Sequence, residues 1–366
     1  MASRIIRTSR YVRSWITGQA DLVEEEVTLM RGETPVLATV VRPARSKGPV
    51  PGWVVLHGIT RPGRSHAQLV RFTRAMAATG TAVVVPEVPE WMELDLAPAL
   101  TIPTVRCGID MLKADPGVVD GPYGLVGFSF GAPHAVSMTA HPSVRDDVLG
   151  AVGFGGYCDL DRTITFMMTG RHEYSGETHQ HAPDPYGRWI VAANYLTSVA
   201  GFEDAGDVAS SLRRIAALAG DTGAPAWDPQ YDPAKSEMRE GIHPDRQALF
   251  DLFAPLTGVE TDTDWGEELG LKLAAAARRV DPENDPVEAL AEVTLPVHIL
   301  HGRHDHLIPF TEGLRIREAL SPESRSFATV TRLFGHSAQD PFPSPLQTVR
   351  EVPVFLNALG RILTLV

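Results

Sequence analysis

Short apolar segments without polar alternation recur along this chain and constrain its fold more than any other feature. They are residues 53–58, 81–86, 123–128, 148–154 and 297–301. Strands of this kind are buried on both faces, as in a parallel sheet. Segments with helical periodicity separate most of them, at residues 65–79, 100–114, 131–140 and 311–320. This alternation predicts an α/β fold with a doubly wound sheet.

Three further strands and a closing helix complete the predicted sheet. Residues 24–30 and 36–42 alternate and are separated by Arg-Gly-Glu-Thr-Pro, which predicts a hairpin. Residues 329–334 are the last candidate strand, and residues 346–363 the closing helix. We therefore expect an eight-stranded, mostly parallel sheet that is flanked by helices.

The alternation is interrupted between residues 157 and 291. Helical periodicity appears there at residues 188–199, 207–218, 245–253 and 265–280. We interpret this segment as a helical insertion after the sixth strand, which divides the core into residues 24–156 and 292–366. Residues 201–290 contain 19 Asp and Glu against 8 Lys and Arg, which favours a solvated helical surface.

Composition limits the class of protein and its partners. Hydrophobic residues make up 43% of the 366 residues, enough for a sizeable core, and no apolar stretch approaches the length of a transmembrane helix. The formal net charge of −12 argues against nucleic acid as a partner. The two cysteines, Cys107 and Cys158, do not make a disulfide framework and favour a reducing cytoplasm.

Residues 1–23 form a basic N-terminal segment without the apolar core of a secretory signal. Residues 1–20 include no acid and four basic residues, namely Arg4, Arg7, Arg10 and Arg13. On a helix, one broad face would carry Ile5, Tyr11, Val12, Trp15 and Ile16. We expect this helix to pack on its own domain, and contact with a membrane surface is the alternative.

A G-x-S-x-G pattern, Gly127-Phe-Ser-Phe-Gly131, lies between an apolar run and a helical segment. This is the context of a sharp strand-to-helix turn in which a serine becomes a nucleophile. Residues two before and two after the serine crowd such a turn, so both must be glycine or nearly so. By itself the match is weak, because a glycine-rich turn with a capping serine has the same sequence.

A candidate acid and a candidate base follow later in the chain. A hydroxyl nucleophile needs a base to accept its proton, and the base needs a group that orients it. Asp305 follows the strand at 297–301, and His336 follows the last predicted strand. Both residues, like Ser129, are expected at carboxyl ends of strands, where catalytic groups gather on such sheets.

Together these motifs resemble the α/β-hydrolase superfamily. The matching residues are His57-Gly58 after the third strand, 127–131 after the fifth, 301–305 with Pro309 after the seventh, and Gly335-His336 after the eighth. The resemblance covers about residues 24–156 and 292–364, and the insertion lies where that superfamily carries its cap domain. It implies that Ser129 is the nucleophile, His336 the general base and then acid, and Asp305 the group that orients His336.

The resemblance also implies an oxyanion hole made by the backbone N–H groups of Phe130 and Ile59, each worth about 3 kcal/mol in the transition state. The loop after His57-Gly58 differs from the HGGG form of many lipases. Candidates for the substrate pocket in the insertion are Tyr157, Phe166, Met167, Tyr186 and Trp189. Each of them is an equally good candidate for the core of the insertion.

Alternatives remain for single members of the site. Asp305 can simply cap the turn that follows it, and Asp159 is the main alternative acid. His304 and His306 are alternative bases, although their closeness to Asp305 in sequence disfavours them. Cys158 is a weaker candidate nucleophile because no turn motif surrounds it.

No cofactor or metal is expected. Five potential ligands cluster in the insertion, namely His172, Glu173, His179, His181 and Asp184. They lack the i, i+4 spacing of a helical zinc motif, so we interpret them as solvent-exposed loop residues. The segment after the first parallel strand lacks both G-x-G-x-x-G and the P-loop lysine, which argues against a nucleotide cofactor.

The expected function is hydrolysis of a small to medium carboxylic ester through an acyl-enzyme on Ser129. An acyltransferase or thioesterase with the same triad is a second hypothesis, and a non-catalytic binding protein on a hydrolase fold is a third. The expected partner is a small-molecule ester. The sequence leaves the oligomeric state open, with a homodimer as one option.

Overall fold

A computed structural model describes residues 2–335 and 345–366. The strands are β1 (Leu22–Arg31), β2 (Thr34–Pro43), β3 (Gly52–Leu56), β4 (Ala82–Pro86), β5 (Tyr123–Phe128), β6 (Val148–Phe154), β7 (Arg171–Tyr174), β8 (Glu177–Gln180), β9 (Val297–Gly302) and β10 (Phe327–Thr331). Eight of them form one sheet in the order β1-β2-β4-β3-β5-β6-β9-β10, and β7 and β8 pair separately.

Helices lie between most of the strands. They are α1 (Ala2–Thr17), α2 (Ala67–Ala77), α3 (Pro89–Met92), α4 (Thr101–Ala114), α5 (Gly131–Ser137), α6 (Leu160–Thr169), α7 (Pro185–Tyr195), α8 (Gly206–Thr222), α9 (Asp232–Glu240), α10 (Gln247–Phe253), α11 (Thr263–Val280), α12 (Val287–Ala291), α13 (Phe310–Ala319) and α14 (Pro345–Ile362).

The large sheet is antiparallel at one edge and parallel elsewhere. Strand β2 pairs antiparallel with both β1 and β4, whereas β4, β3, β5, β6, β9 and β10 run parallel to one another. Alternate residues of β3 contribute to two separate hydrophobic clusters: Val54 belongs to one and Val55 to the other. Both faces of the strand are therefore covered, which is why its sequence is apolar without alternation. The predicted fold class is confirmed.

Strand β10 differs in position from its prediction. The sequence places it at residues 329–334, whereas the strand is Phe327–Thr331 and pairs with residues 298–302 of β9. Its burial pattern is mostly half-exposed, so the strand lacks the apolar signal that identifies the central strands.

The insertion, residues 157–291, contains helices α6 to α12 and a small hairpin that was not predicted. The hairpin pairs β7 with β8 through a turn at Ser175 and Gly176, both with positive φ, of 51° and 80°. Two consecutive positive φ values are typical of a tight hairpin turn. Its strands are polar, so no hydrophobic alternation marked them.

Many acidic residues of the insertion have local structural roles. Asp159, Asp184 and Asp262 accept hydrogen bonds from backbone N–H groups at the starts of α6, α7 and α11. Asp207 accepts from Arg246 at 2.9 Å. Helix caps and ion pairs therefore account for part of the acidic excess of residues 201–290.

The N-terminal helix α1 packs against α2 and α14. Tyr11 is buried in the same hydrophobic cluster as Phe72, and Arg7 donates hydrogen bonds to the carbonyl oxygens of Leu363 and Val366. These contacts agree with the expectation that the helix packs on its own domain. In the described ranges, no helix has the length and apolar character needed to cross a membrane.

Candidate active site

Ser129 occupies a sharp turn between β5 and α5. Its backbone φ is 53°, in the left-handed region that non-glycine residues rarely adopt. The turn is fixed on both sides, because Ser129 N–H donates to the Phe154 carbonyl at 2.8 Å and the Ser129 carbonyl accepts from Ala132 N–H at 3.0 Å. The Ser129 side chain is therefore attached to a strained backbone in a fixed position at the carboxyl end of β5.

Glycines surround this turn because there is no space for a side chain. A methyl group on Gly127 would overlap the carbonyl group of Gly131, and one on Gly131 would lie 2.7 Å from the His57 carbonyl oxygen. A methyl group on Gly58 would lie 3.0 Å from Cβ of Ser129. The crowding predicted from the spacing of Gly127 and Gly131 is present, and Gly58 adds a third close approach.

His57 holds the loop that follows β3. Its Nε2 accepts a hydrogen bond from Val88 N–H at 3.0 Å, so its Nδ1 carries the proton and donates to the Gly58 carbonyl at 2.7 Å. Burial lowers the pKa of His57 to about 4. The imidazole is therefore neutral near pH 7 and acts as a structural link between β3, Gly58 and the chain after β4.

Phe130 follows Ser129 and is buried against aromatic rings. Its ring meets Trp91 edge-on, with centroids 5.2 Å apart, and lies 4.6 Å from His134. In the described part of the chain, no backbone carbonyl accepts a hydrogen bond from the N–H of Phe130 or of Ile59. The Phe130 side chain is thus held among aromatic rings, and its N–H has no described backbone partner.

Asp305 is almost completely buried in the loop after β9, with 1% of its surface exposed. Its Oδ1 accepts hydrogen bonds from Leu307 N–H and Ile308 N–H, both at 2.9 Å. Its Oδ2 lies 3.2 Å from His301 Nε2. Oδ1 thus caps the following turn, which is the alternative role considered for Asp305, while Oδ2 lies on the side of His301.

His301 lies beside Asp305, and the sequence analysis gave it no role of its own. Its Nε2 lies near two acceptors, Asp305 Oδ2 and the Ile308 carbonyl at 3.0 Å, so Nε2 carries a proton. The sequence offered one signal for this pair, the i, i+4 spacing of His301 and Asp305 at a strand end. The signal is weak, because this spacing brings two side chains together only in certain loop conformations.

His336 lies outside the described residues, so its position relative to Ser129 and Asp305 stays a prediction. Phe334, two residues earlier, is described. Its ring is 5.5 Å from that of Phe154, and a methyl group on Gly302 would lie 2.5 Å from its carbonyl oxygen. Phe334 therefore lies at the carboxyl ends of β6 and β9, the edge that also carries Ser129 and Asp305.

The alternative acid and the alternative nucleophile have other roles. Asp159 caps α6 through a 2.9 Å hydrogen bond from Arg162 N–H. Cys158 is buried, and burial followed by the charge of Glu312 raises the pKa of its thiol to about 12. A thiol with that pKa contains almost no thiolate near neutral pH, so it is a poor nucleophile.

Five histidines form one cluster of neighbouring rings: the alternative bases His304 and His306, and the potential metal ligands His172, His179 and His181. His306 Nδ1 contacts the Ala182 carbonyl at 2.7 Å, and the rings of His172 and His179 stack with centroids 5.0 Å apart. His172 lies on β7 and is buried, and Asp184 is buried as well, so the interpretation of this group as exposed loop residues is wrong for both. Among the described residues, no group of three or more acidic, histidine or cysteine side chains is arranged to hold a metal ion.

Most of the candidate pocket residues are buried within the protein. Phe166 and Trp189 are fully buried, and Trp189 Nε1 donates to the Phe253 carbonyl at 2.8 Å. Tyr157 donates to the Asn284 carbonyl at 2.8 Å, and Met167 packs beside Gly187. Tyr186 differs, because its buried hydroxyl has no hydrogen-bond partner in the described part of the chain.

Comparisons with known proteins find similarity at the level of structure. No protein-family model and no curated protein sequence matches the chain. The structure of esterase Est22 superposes with a TM-score of 0.51 and 13% identity, covering 98% of this chain and 86% of that one. Acylaminoacyl peptidase from Pyrococcus horikoshii superposes with a TM-score of 0.50 and 10% identity, covering 94% of this chain. This chain spans only 43% of the length of that peptidase.

The sheet order, the turn at Ser129 and these superpositions define the class of fold. The chain has the α/β-hydrolase fold. Similarity at 10% and 13% identity establishes the fold alone. The reaction depends on the residues of the site, because one fold carries many activities.

Proposed function

We propose that this protein is a serine hydrolase that cleaves a small to medium carboxylic ester, with Ser129 as nucleophile. The observation that carries the proposal is the backbone of Ser129, which has a φ of 53° and glycines packed against it. Such a conformation costs about 1–3 kcal/mol for a non-glycine residue and persists where the surrounding structure enforces it. It presents a serine at the strand ends, where ligands of α/β sheets bind.

In the proposed reaction, His336 removes the Oγ proton of Ser129 while Oγ attacks the ester carbonyl carbon. The tetrahedral intermediate then collapses, the bond to the alcohol oxygen breaks, and His336 returns the proton to the leaving alcohol. Water then attacks the acyl-enzyme, with His336 again accepting a proton, and the carboxylic acid leaves. Asp305 orients His336 through hydrogen bonding and stabilises its charged form.

The spacing of the strands supports a histidine between Ser129 and Asp305. These residues follow β5 and β9, and β6 alone separates the two strands. Two strand spacings are about 10 Å. An imidazole hydrogen-bonded to a partner on each side spans roughly 8 Å. Phe334 brings the chain that precedes His336 to this edge.

The proposed oxyanion hole uses the backbone N–H groups of Phe130 and Ile59. Gly58 packs against Ser129, so the chain segment that contains Ile59 passes close to the nucleophile. The absence of a carbonyl partner for both N–H groups in the described residues supports this role. Donors held by a folded backbone need no reorganisation as negative charge develops on the substrate oxygen.

We also propose that residues 157–291 act as a cap that shapes the substrate pocket. Supporting contacts join the insertion to the loop after β3: Arg61 donates to Asp221 of α8 at 3.0 Å and packs against Gly220. Tyr186, whose hydroxyl lacks a described partner, packs near the same Gly220. The loop after β3 and the insertion therefore meet next to the proposed oxyanion hole.

The decisive experiment compares Ser129→Ala with the wild type on p-nitrophenyl esters of graded acyl length. Turnover should fall by roughly 10⁴-fold or more while the unfolding transition changes little. Ser137→Ala is the matched control, since Ser137 lies on α5 and its hydroxyl donates, within the described ranges, to the His134 carbonyl alone. Activity of Ser129→Ala at the wild-type level would refute the assignment.

Two further measurements separate the alternatives. Product analysis with a competing alcohol distinguishes hydrolysis from acyl transfer, because a transferase forms a new ester at the expense of the free acid. Labelling with a fluorophosphonate probe should modify the wild type and not Ser129→Ala. A wild-type protein that resists labelling and turns over no ester would be a non-catalytic member of this fold.

A further inference from the structure

An open cavity of about 400 Å³ is lined by residues of both the core and the insertion, and Ser129 is not among them. Its walls come from the loop after β3, the segment after α3, and helices α7 and α8. The lining includes three arginines, Arg61, Arg213 and Arg214, and one acidic residue, Glu93. Cationic walls are unexpected here, because α8 belongs to the strongly acidic segment at residues 201–290.

Arg213 and Arg214 differ from most other cations of that segment in their partners. Five of its eight basic residues have a carboxylate within 4.0 Å in the described chain: Lys235, Arg239, Arg246, Lys272 and Arg278. Among the described residues, Arg213 hydrogen-bonds to neutral oxygens: the Glu93 carbonyl and Asn194 Oδ1, both at 3.1 Å, and the Ala193 carbonyl at 3.5 Å. Arg214 is exposed. Neither arginine is neutralised by a described side chain.

The position of Arg213 is built into the fold. Asn194 is oriented by two hydrogen bonds from its Nδ2, to the Leu94 and Ile190 carbonyls at 2.9 and 2.8 Å, so its Oδ1 faces Arg213. Leu94 has a φ of 63°, which is rare for a bulky residue. A strained backbone at Leu94 and a fully oriented amide thus hold one cation in a fixed geometry.

Arg61 supplies the opposite wall, and its own charge is balanced. It forms ion pairs with Glu93 and Asp221, both at 3.0 Å, and donates to the Met92 carbonyl at 2.9 Å. The rest of the lining includes three alanines, Ala193, Ala209 and Ala217. The cavity therefore combines two unneutralised guanidinium groups with a small apolar surface.

We propose that this cavity binds a small aliphatic carboxylate, whose carboxylate group contacts Arg213 and Arg214 and whose alkyl part lies on the alanines. Guanidinium groups match carboxylates in shape and hydrogen bonding. The volume suits a compact organic molecule. The bound carboxylate would contact α8 at a point where α8 already meets the loop that follows β3. This site does not depend on the proposed reaction at Ser129.

The test measures binding of hexanoate by calorimetry at low ionic strength, with hexanamide and inorganic phosphate as comparison probes. All titrations use the Ser129→Ala protein, so that turnover plays no part and failure of the proposed hydrolase function leaves the result interpretable. Hexanoate should bind about tenfold more tightly than hexanamide, because the neutral amide lacks the charge. Hexanoate should also bind more tightly than inorganic phosphate, because phosphate has no alkyl group to contact the alanines.

Variants place the binding in the cavity. Arg214→Gln should weaken hexanoate binding by at least about fivefold, and added salt should weaken binding in the parent protein. Arg279→Gln is the matched control, because Arg279 is also exposed, lies on α11 and donates only to the Ser198 carbonyl. The proposal is overturned if hexanoate does not bind, or if hexanamide or phosphate binds as tightly as hexanoate. It is also overturned if Arg279→Gln has the same effect as Arg214→Gln.

Discussion

Gly127 shows how little space the turn around Ser129 leaves for a side chain. Adding one methyl group there overlaps the backbone of Gly131, which cannot move without displacing α5. Overlap with backbone is costly because no rotamer change relieves it. The chemistry proposed for Ser129 therefore depends on residues that have no chemical function themselves.

We predict that Gly127→Ala lowers the free energy of unfolding by about 2–4 kcal/mol and abolishes ester hydrolysis. Urea denaturation followed by circular dichroism measures the first, and p-nitrophenyl ester turnover the second. Gly206→Ala serves as the control, since Gly206 begins α8 and a methyl group there meets no atom within 4 Å. That variant should stay within about 0.5 kcal/mol of the wild type.

We infer that His301 acts on the proposed site through Asp305. Its Nε2 is hydrogen-bonded to the Ile308 carbonyl at 3.0 Å and lies 3.2 Å from Asp305 Oδ2, so the imidazole packs against one carboxylate oxygen. We predict that His301→Leu lowers kcat by roughly 10- to 100-fold with little change in KM, since a misplaced orienting group harms the chemical step. Steady-state kinetics tests this. A purely structural role would instead lower the unfolding midpoint and leave the kcat of the folded fraction unchanged.

Glu312 joins three elements at the base of the insertion. It lies on α13 and is 1% exposed, yet its carboxylate accepts hydrogen bonds from Cys158 N–H and Asp159 N–H at 3.0 Å and from Arg162 Nε at 2.9 Å. The chain after β6 and helix α6 are thereby attached to the helix that follows the Asp305 loop. The residue belongs to none of the predicted motifs.

We predict that Glu312→Ala lowers the free energy of unfolding by about 3–5 kcal/mol, because it leaves two buried N–H groups and Arg162 without their acceptor. Glu312→Gln should cost less, about 1–3 kcal/mol, since its carbonyl oxygen still accepts hydrogen bonds. Glu288→Gln, at an exposed position on α12, is the control and should have almost no effect. Equal stability of the Glu312→Ala and Glu288→Gln variants in urea denaturation would contradict the prediction.

Buried histidines make the stability of the whole molecule depend on pH. Burial lowers the pKa values of His57, His134 and His298 to about 4. In the unfolded chain each has a pKa near 6.5, so between about pH 6.5 and pH 4 the unfolded chain binds protons that the native protein does not. The free energy of unfolding should therefore fall as the pH falls through this window.

The expected loss is at most about 1.4 kcal/mol per pH unit for each histidine. Urea denaturation across this pH range measures the slope. His298→Gln should reduce this slope by up to about 1.4 kcal/mol per pH unit, because residue 298 then no longer binds a proton in the unfolded chain. Stability that stays constant down to about pH 4, or an identical slope in the variant, would count against this account.

The sequence predicted the elements whose signals are local. Apolar runs marked β3 to β6 and β9 because these strands are buried on both faces, and glycine spacing marked the turn at Ser129 because its crowding involves neighbours in the chain. The polar hairpin β7–β8 and the partly exposed β10 carried no such signal. The role of His336 stays a prediction outside the described residues.

By itself, then, the sequence determined the class of fold, the order along the chain of the eight strands of the large sheet, and the position of the serine turn. Tertiary structure alone decided the roles of His57, His301 and Glu312. It alone assembled the cavity at Arg213 from residues as distant in the chain as Arg61 and Ala217. The reason is physical. Local patterns report how each segment is buried, whereas hydrogen bonds such as that between Glu312 and Arg162, 150 residues apart, exist only once distant segments pack together.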